Sequence, residues 1–463
     1  MFETFDFLNG YLKITALVGA LDVLLILHFL LSYYFCCYKK GYLIDLWHGS
    51  LLFVYFFTIL VFYPFMGSER LLDLRFFYNW SYSIQFIDWA WFINVLGFIA
   101  VFFGGFCFTI LKRKNTFNGI ILWSVKKCDY AINRILQHEN QFLLMYQINN
   151  CICAYLLFYG ITTSGLFVNL RVFFMTAGIY SALSNVFIQV GQPIFLFFSL
   201  IALYVSNSRL KIIVQIIFSI IILNIYGARS TLVYPFVSFL FGYIIVNKNK
   251  TVFKKILISF LVLTVVFFAV EQYRTDSDTS YMSSYSLTDR ILFGNNISDI
   301  RDFSVILECW DGNYMLGRNI IAGIISFIPK EYSQFRSSWN TASYTNNLVG
   351  LPDSHPGLRG GLFSEPFLSG GYLGVVFTGL IFGYILAALD YKSKHNDCLS
   401  EKYYLVLVMS LLFMKDIFIY ILFQSSLLWL AYLRILFLLL CVAVFSVRSE
   451  EHTSELQSPY DLV

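Results

Sequence analysis

Long apolar runs alternate with short polar connections along most of the chain. Runs near 20 residues suit a helix that crosses a bilayer. Eleven intervals qualify: 12–35, 47–66, 84–111, 141–160, 186–206, 211–227, 229–246, 256–273, 364–389, 403–422 and 425–447. The interval 166–185 leaves room for a twelfth, short or re-entrant. No segment shows the strict two-residue alternation of a membrane β-barrel. The pattern predicts an all-α polytopic membrane protein of about eleven transmembrane helices. One interruption is different in scale: residues 274–360 hold no apolar segment of membrane length. The chain is therefore read as an N-terminal bundle (1–273), one large loop (274–360) and C-terminal membrane helices (361–447).

The lysines orient these spans. Lys39-Lys40, Lys112 and Lys114, Lys126-Lys127, Lys248 and Lys250, Lys254-Lys255, Lys392 and Lys394, and Lys402 fall in alternate connections. Cytoplasmic connections carry the excess of basic residues. The large loop then lies outside the cytoplasm, residue 447 inside and the N-terminus outside. The basic connection 112–140 suits either a helix lying on the anionic inner leaflet or a plain linker.

Composition agrees with the pattern. The chain is 58% hydrophobic and only 13% charged, about half the charge of an ordinary soluble domain. A net charge of +4 says little about partners, and nothing resembles a nucleic-acid module. Of nine cysteines only Cys309 falls in the large loop, so no disulfide is expected there. No Cys/His spacing suggests a metal site, and no cofactor is expected. The first apolar run is too long for a cleavable signal and reads as a span. Residues 448–463 resemble the translation of a sequencing adapter and receive no role.

The candidate chemistry is cationic and external. The loop holds Arg274, Arg290, Arg301, Arg318, Arg336 and Arg359 against one lysine, Lys330. Arginine presents a planar, permanently charged fork that grips phosphate in bidentate fashion. Nine acids in the same interval offer these arginines an alternative use in internal pairs. Arg229 lies in a tight turn between two short spans, where a cation close to hydrocarbon needs a partner or a function. Glu365 stands at the mouth of a span before Gly370, Gly371 and Gly374, placed as a proton acceptor or as a helix-start carboxylate. His355, between Pro352 and Pro356, suits a base near neutral pH or a plain surface turn. Trp310 and Trp339 suit sugar rings or a packed loop core. Asp22, His28, Lys415, Asp416 and Arg434 are ionisable residues within spans.

The turn Gly227-Ala228-Arg229-Ser230, the run Gly361-Leu362-Phe363-Ser364-Glu365-Pro366-Phe367-Leu368-Ser369-Gly370-Gly371-Tyr372-Leu373-Gly374 and the large external loop together resemble the O-antigen polymerases (Wzy-type oligosaccharide repeat-unit polymerases). The likeness covers about residues 1–447. It implies a GT-C-like membrane glycosyltransferase of the cell inner membrane that joins undecaprenyl-pyrophosphate-linked oligosaccharides on the periplasmic face, without metal. Chain-length regulator and flippase partners are implied with it. By position, Arg229 and Arg359 match the anion-gripping arginines and Glu365 the acidic position. Arg290, Arg301 and Arg318 are weaker matches. The family usually has a cytoplasmic N-terminus, which this span count does not give. An O-antigen ligase or a lipid-linked oligosaccharide flippase remains as the alternative.

Overall fold

The computed structural model describes residues 16–63, 84–111, 116–165, 170–175, 177–205, 209–227, 229–247, 258, 299–328, 332–351, 358, 360–395 and 400–455. Among these the chain is helical, without a strand. Eight helices are long and apolar enough to cross a membrane: Leu17–Lys40, Phe86–Leu111, Glu139–Ser164, Ile179–Val205, Arg209–Tyr226, Ser364–Lys394, Glu401–Phe423 and Ser425–Val444. This is the build of a multi-pass membrane protein. The expected intervals 47–66 and 229–246 fall on shorter apolar helices, Leu46–Val61 and Thr231–Val246. The interval 256–273 lies outside the described residues except for Ile258. The interval 166–185 yields two short helices, Leu170–Met175 and Ile179–Ser184, the second running on into the helix that ends at Val205.

The chain divides into two compact units, neither continuous in sequence. The first takes 1–121, 284–394 and 415–431; the second takes 122–283, 395–414 and 432–463.

In the first unit, the helix Ile84–Leu111 lies along Ser364–Lys394. Glycine explains the closeness. A side chain at Gly104 would meet the Leu380 carbonyl, one at Gly379 the Gly97 carbonyl, and one at Gly383 the Val101 carbonyl. Small residues allow such backbone approach where no hydrophobic drive separates helix from lipid. Phe363 packs edge-on against Phe98 and Phe423, at 5.1 and 5.2 Å between ring centroids.

The large loop is ordered where described. The helix Asp299–Cys309 packs against Ile84–Leu111, with Ile300 through Leu307 buried. Two later helices start on side-chain caps. Ser333 accepts from the Arg336 N–H at 3.2 Å, and Asn340 accepts from the Ala342 N–H at 3.2 Å, which satisfies donors a helix start leaves free. The helix Thr341–Val349 ends on Gly350 at φ 76°, a left-handed cap that favours glycine.

The second unit is held by a buried amide network. Asn150 donates to Gln215 at 2.7 Å, Gln192 to Asn150 at 2.7 Å, and Ser219 to Gln192 at 2.6 Å. Tyr146 joins through the Ser219 hydroxyl. These bonds tie Glu139–Ser164, Gln192–Val205 and Arg209–Tyr226 together. The basic connection forms an amphipathic helix, Thr116–Gln137. Its exposed residues include Trp123, with the Lys127 ammonium 5.8 Å from the ring centroid, and Tyr130, whose hydroxyl accepts from Arg134 at 3.0 Å.

Candidate functional site

The helix Ser364–Lys394 breaks near its start. Gly370 and Gly371 leave helical geometry, and Gly371 takes φ 60°, a conformation open mainly to glycine. The break frees backbone carbonyls that need donors from elsewhere in the packed structure. The loop supplies the donors: the Met315 N–H reaches the Leu368 carbonyl at 2.7 Å and the Leu316 N–H reaches Ser369 at 2.9 Å. The Gly317 N–H adds a bond to the Ser369 hydroxyl at 3.0 Å. The loop is therefore docked on the broken helix by its own backbone.

Glu365 lies in the short turn before that break, 8% exposed. Its carboxylate accepts from the Ser425 N–H at 2.8 Å, the Ser425 hydroxyl at 2.7 Å and the Ser426 hydroxyl at 3.2 Å. The Ser425 oxygen also lies 3.3 Å from Thr341 Oγ1 and accepts from Asn319 Nδ2 at 3.3 Å. Gly323 sits against the Ser425 carbonyl with no room for a side chain. One acid thus joins the broken helix, two loop helices and the turn before the last helix. Acceptor positions this fully occupied fit a positioning group better than a free proton acceptor.

Beside this joint lies an aromatic surface. Arg318, exposed, sets its guanidinium 4.3 Å above the Trp339 ring, within cation–π range. Tyr344 lies nearly parallel to Trp339, at 6.2 Å and 17°. The Tyr344 hydroxyl donates to the Asn313 carbonyl at 3.3 Å, which also receives the Trp310 indole N–H at 2.9 Å. Trp310 continues the surface to exposed Tyr314 at 5.0 Å, and both rest on the buried ring of Phe367, 5.3 Å from Trp310. Exposed Asp311 accepts from the backbone and side chain of Asn313, which holds its carboxyl below the usual 3.8. Burial, helped by the Asp311 charge, pushes the Tyr344 phenol up. Flat rings beside a carboxylate and amide carbonyls match what a sugar presents.

The residues singled out in sequence separate as follows. Arg301 is buried and bound to Asp302, at 2.9 Å through Nη2 and 3.1 Å through Nε. Arg318 has no carboxylate partner among the described residues. Trp310, Trp339 and Glu365 belong to the same unit. Arg229 opens the helix Arg229–Val246 in the second unit, and its side chain lies outside the described residues. Arg290, His355 and Arg359 also lie outside them. Sequence reasoning passed over Ser425-Ser426, Thr341 and Asn319. Nothing local marks them, since their importance comes from an acid distant in sequence, 60 residues away in the case of Ser425.

Away from this surface, Lys394 binds Asp45 at 2.6 Å and Asp390 at 2.7 Å. His48 Nδ1 lies 2.8 Å from Asp45, with Ser32 at its other nitrogen. Burial opposes the Asp45 charge, but His48 and Lys394 outweigh it and hold its carboxyl at about 2. Cys37, Asp45 and His48 have ligand atoms within 4.8 Å of one another. Lys394 already supplies the positive charge a metal would bring, so the group reads as a clamp between the first connection and the end of Ser364–Lys394.

No family model matches the chain, and neither a curated protein nor a solved structure matches it.

Proposed function

We propose that the chain is a membrane glycosyltransferase of the O-antigen polymerase kind. In this reading it has about eleven spans in a GT-C-like arrangement, with the large loop on the periplasmic face of the inner membrane. It extends a surface polysaccharide by joining undecaprenyl-pyrophosphate-linked repeat units. The observation that carries the reading is Arg318: an exposed guanidinium free of carboxylates among the described residues, stacked on Trp339 at the edge of an aromatic surface.

The chemistry follows from those parts. The bond between the anomeric carbon of the growing chain and its diphosphate oxygen breaks. A hydroxyl of the incoming unit forms the new bond to that carbon and gives up its proton. Arg318, with Arg290 and Arg359 as further candidates, neutralises the charge that develops on the leaving diphosphate. Trp310 and Trp339 carry sugar rings. Glu365 positions the loop, and His355 takes the proton. Arg229, in the other unit, is a separate candidate with its own test, Arg229→Lys, which keeps the charge and removes the fork.

A deletion strain decides among the readings. Loss of a polymerase leaves a single repeat on the surface glycolipid in a gel. Loss of an O-antigen ligase leaves no attached glycan, and loss of a flippase strands the units inside. Either of the last two patterns removes the polymerase reading.

A further inference from the structure

The first long helix carries an acid that its surroundings do not answer. Asp22 is 1% exposed, and among the described residues neither of its oxygens has a hydrogen-bond partner of good geometry. The π-helical stretch Leu52–Val61 packs against this helix and brings Tyr55, also 1% exposed, within electrostatic reach. The Tyr55 hydroxyl is likewise without a partner among the described residues. A third wall comes from Ile84–Leu111, where the Trp91 indole comes close enough to Asp22 to offer its single N–H. Its N–H, however, donates to the Ile59 carbonyl at 3.1 Å. Rings close the space: Tyr55 meets Phe98 at 4.3 Å and Phe29 at 6.3 Å, and Tyr63 stacks on Trp91 at 5.0 Å.

The nearby titratable groups are already engaged. Tyr63 donates to Asp88. His28, further along the same helix, packs edge-on against Phe102 at 5.4 Å. His48 is held by Asp45 and Ser32. A carboxylate left bare in hydrocarbon costs several kcal/mol, and orphaned polar groups are rare enough in packed interiors that each needs a cause. Two in one aromatic enclosure point to one cause. A cation would meet the acid's charge and the phenol's lone pairs, and ring faces favour positive charge. π-Helical turns are frequent at functional sites.

We propose that Asp22 and Tyr55 form an intramembrane binding site for a small monovalent cation, H+ or Na+. The site rests on its own geometry and stands or falls independently of glycosyl transfer. An acid that loads and unloads a cation within a span is the means by which a membrane protein senses or uses an ion gradient.

The test uses the full-length protein in lipid nanodiscs and dicyclohexylcarbodiimide, an apolar reagent that modifies neutral carboxyl groups and spares carboxylates. The Asp22 adduct is quantified by peptide mass spectrometry across pH in choline, potassium and sodium buffers, with Asp22→Asn as the control. The expected adduct falls about tenfold per pH unit above its midpoint. Slowing by sodium but not by potassium assigns Na+, and indifference to sodium assigns H+. No adduct at the lowest pH at which the protein stays folded overturns the proposal, as does a yield that responds neither to pH nor to sodium. Tyr55→Phe keeps the ring and removes the hydroxyl, and the pH midpoint or the sodium protection should move by about threefold or more. An unchanged profile breaks the two-residue site.

Discussion

Glu365 and Asp22 are both acids enclosed in the first compact unit, and their surroundings could hardly differ more. Glu365 collects one backbone and two hydroxyl donors from Ser425 and Ser426. Among the described residues Asp22 has only the Trp91 indole N–H near it, and that N–H donates to the Ile59 carbonyl. A buried acid with a full set of donors works as a joint, because removing it strands every donor it satisfied. A buried acid with no donors gives the fold nothing, and its presence is explained by what it can bind. The second unit supports the contrast: its buried polar groups, Asn150, Gln192, Gln215 and Ser219, are closed on one another without any charge.

The contrast breaks most directly on a pair of substitutions. Glu365→Ala leaves three donors unanswered and should cost about 3 kcal/mol or more, read as a lower Tm in detergent and faster amide exchange around 319–324 and 341–345. Glu365→Gln keeps the shape and one acceptor, and should cost about 1 kcal/mol. Asp22→Leu should be neutral or stabilising by about 1 kcal/mol, since it removes an unanswered polar group. If Asp22→Leu lowers Tm as far as Glu365→Ala, the two acids do the same work and the comparison is wrong.

The same division applies to the arginines. Arg301→Ala removes the guanidinium that pairs with buried Asp302 and should cost about 3 kcal/mol. Arg318→Ala should leave Tm within about 0.5 kcal/mol of the parent, yet slow chain extension about a hundredfold, seen with purified lipid-linked units. A variant at Arg318 that unfolds the protein but extends chains normally when folded would move this arginine to the structural side.

A smaller effect is expected from pH. Asp45 sits at about 2 when folded and at an ordinary 3.8 when free. Its folded value is depressed, so its contribution is complete above the ordinary value and drains away as pH falls toward the folded one. The size is about 2 kcal/mol. Tm measured through that acid window should drop for the parent and change less for Asp45→Asn. Equal slopes would show that the Lys394 clamp contributes nothing.

Much of the architecture is legible from the chain alone, because it depends on short-range patterns. Apolar runs of bilayer length mark the long helices, and ten of the eleven expected intervals fall on apolar helices among the described residues. The Gly370-Gly371 pair permits either a close helix approach or a break, and the structure shows the break, with Gly371 at φ 60°. Roles within the loop are not legible in this way. Arg301 and Asp302 are sequence neighbours, and neighbours on a helix do not normally face each other. Their pairing exists because packing against Ile84–Leu111 buries both. Arg318 has the same composition-level credentials but ends up exposed over Trp339. What the residues decided by themselves was where helices form, because helix formation and membrane length depend on periodicity and local hydropathy. What the tertiary structure decided was which buried charges are answered, because the donors for Glu365 lie 60 residues distant and the groups that enclose Asp22 come from three separate helices, so only packing can bring them together or leave one out.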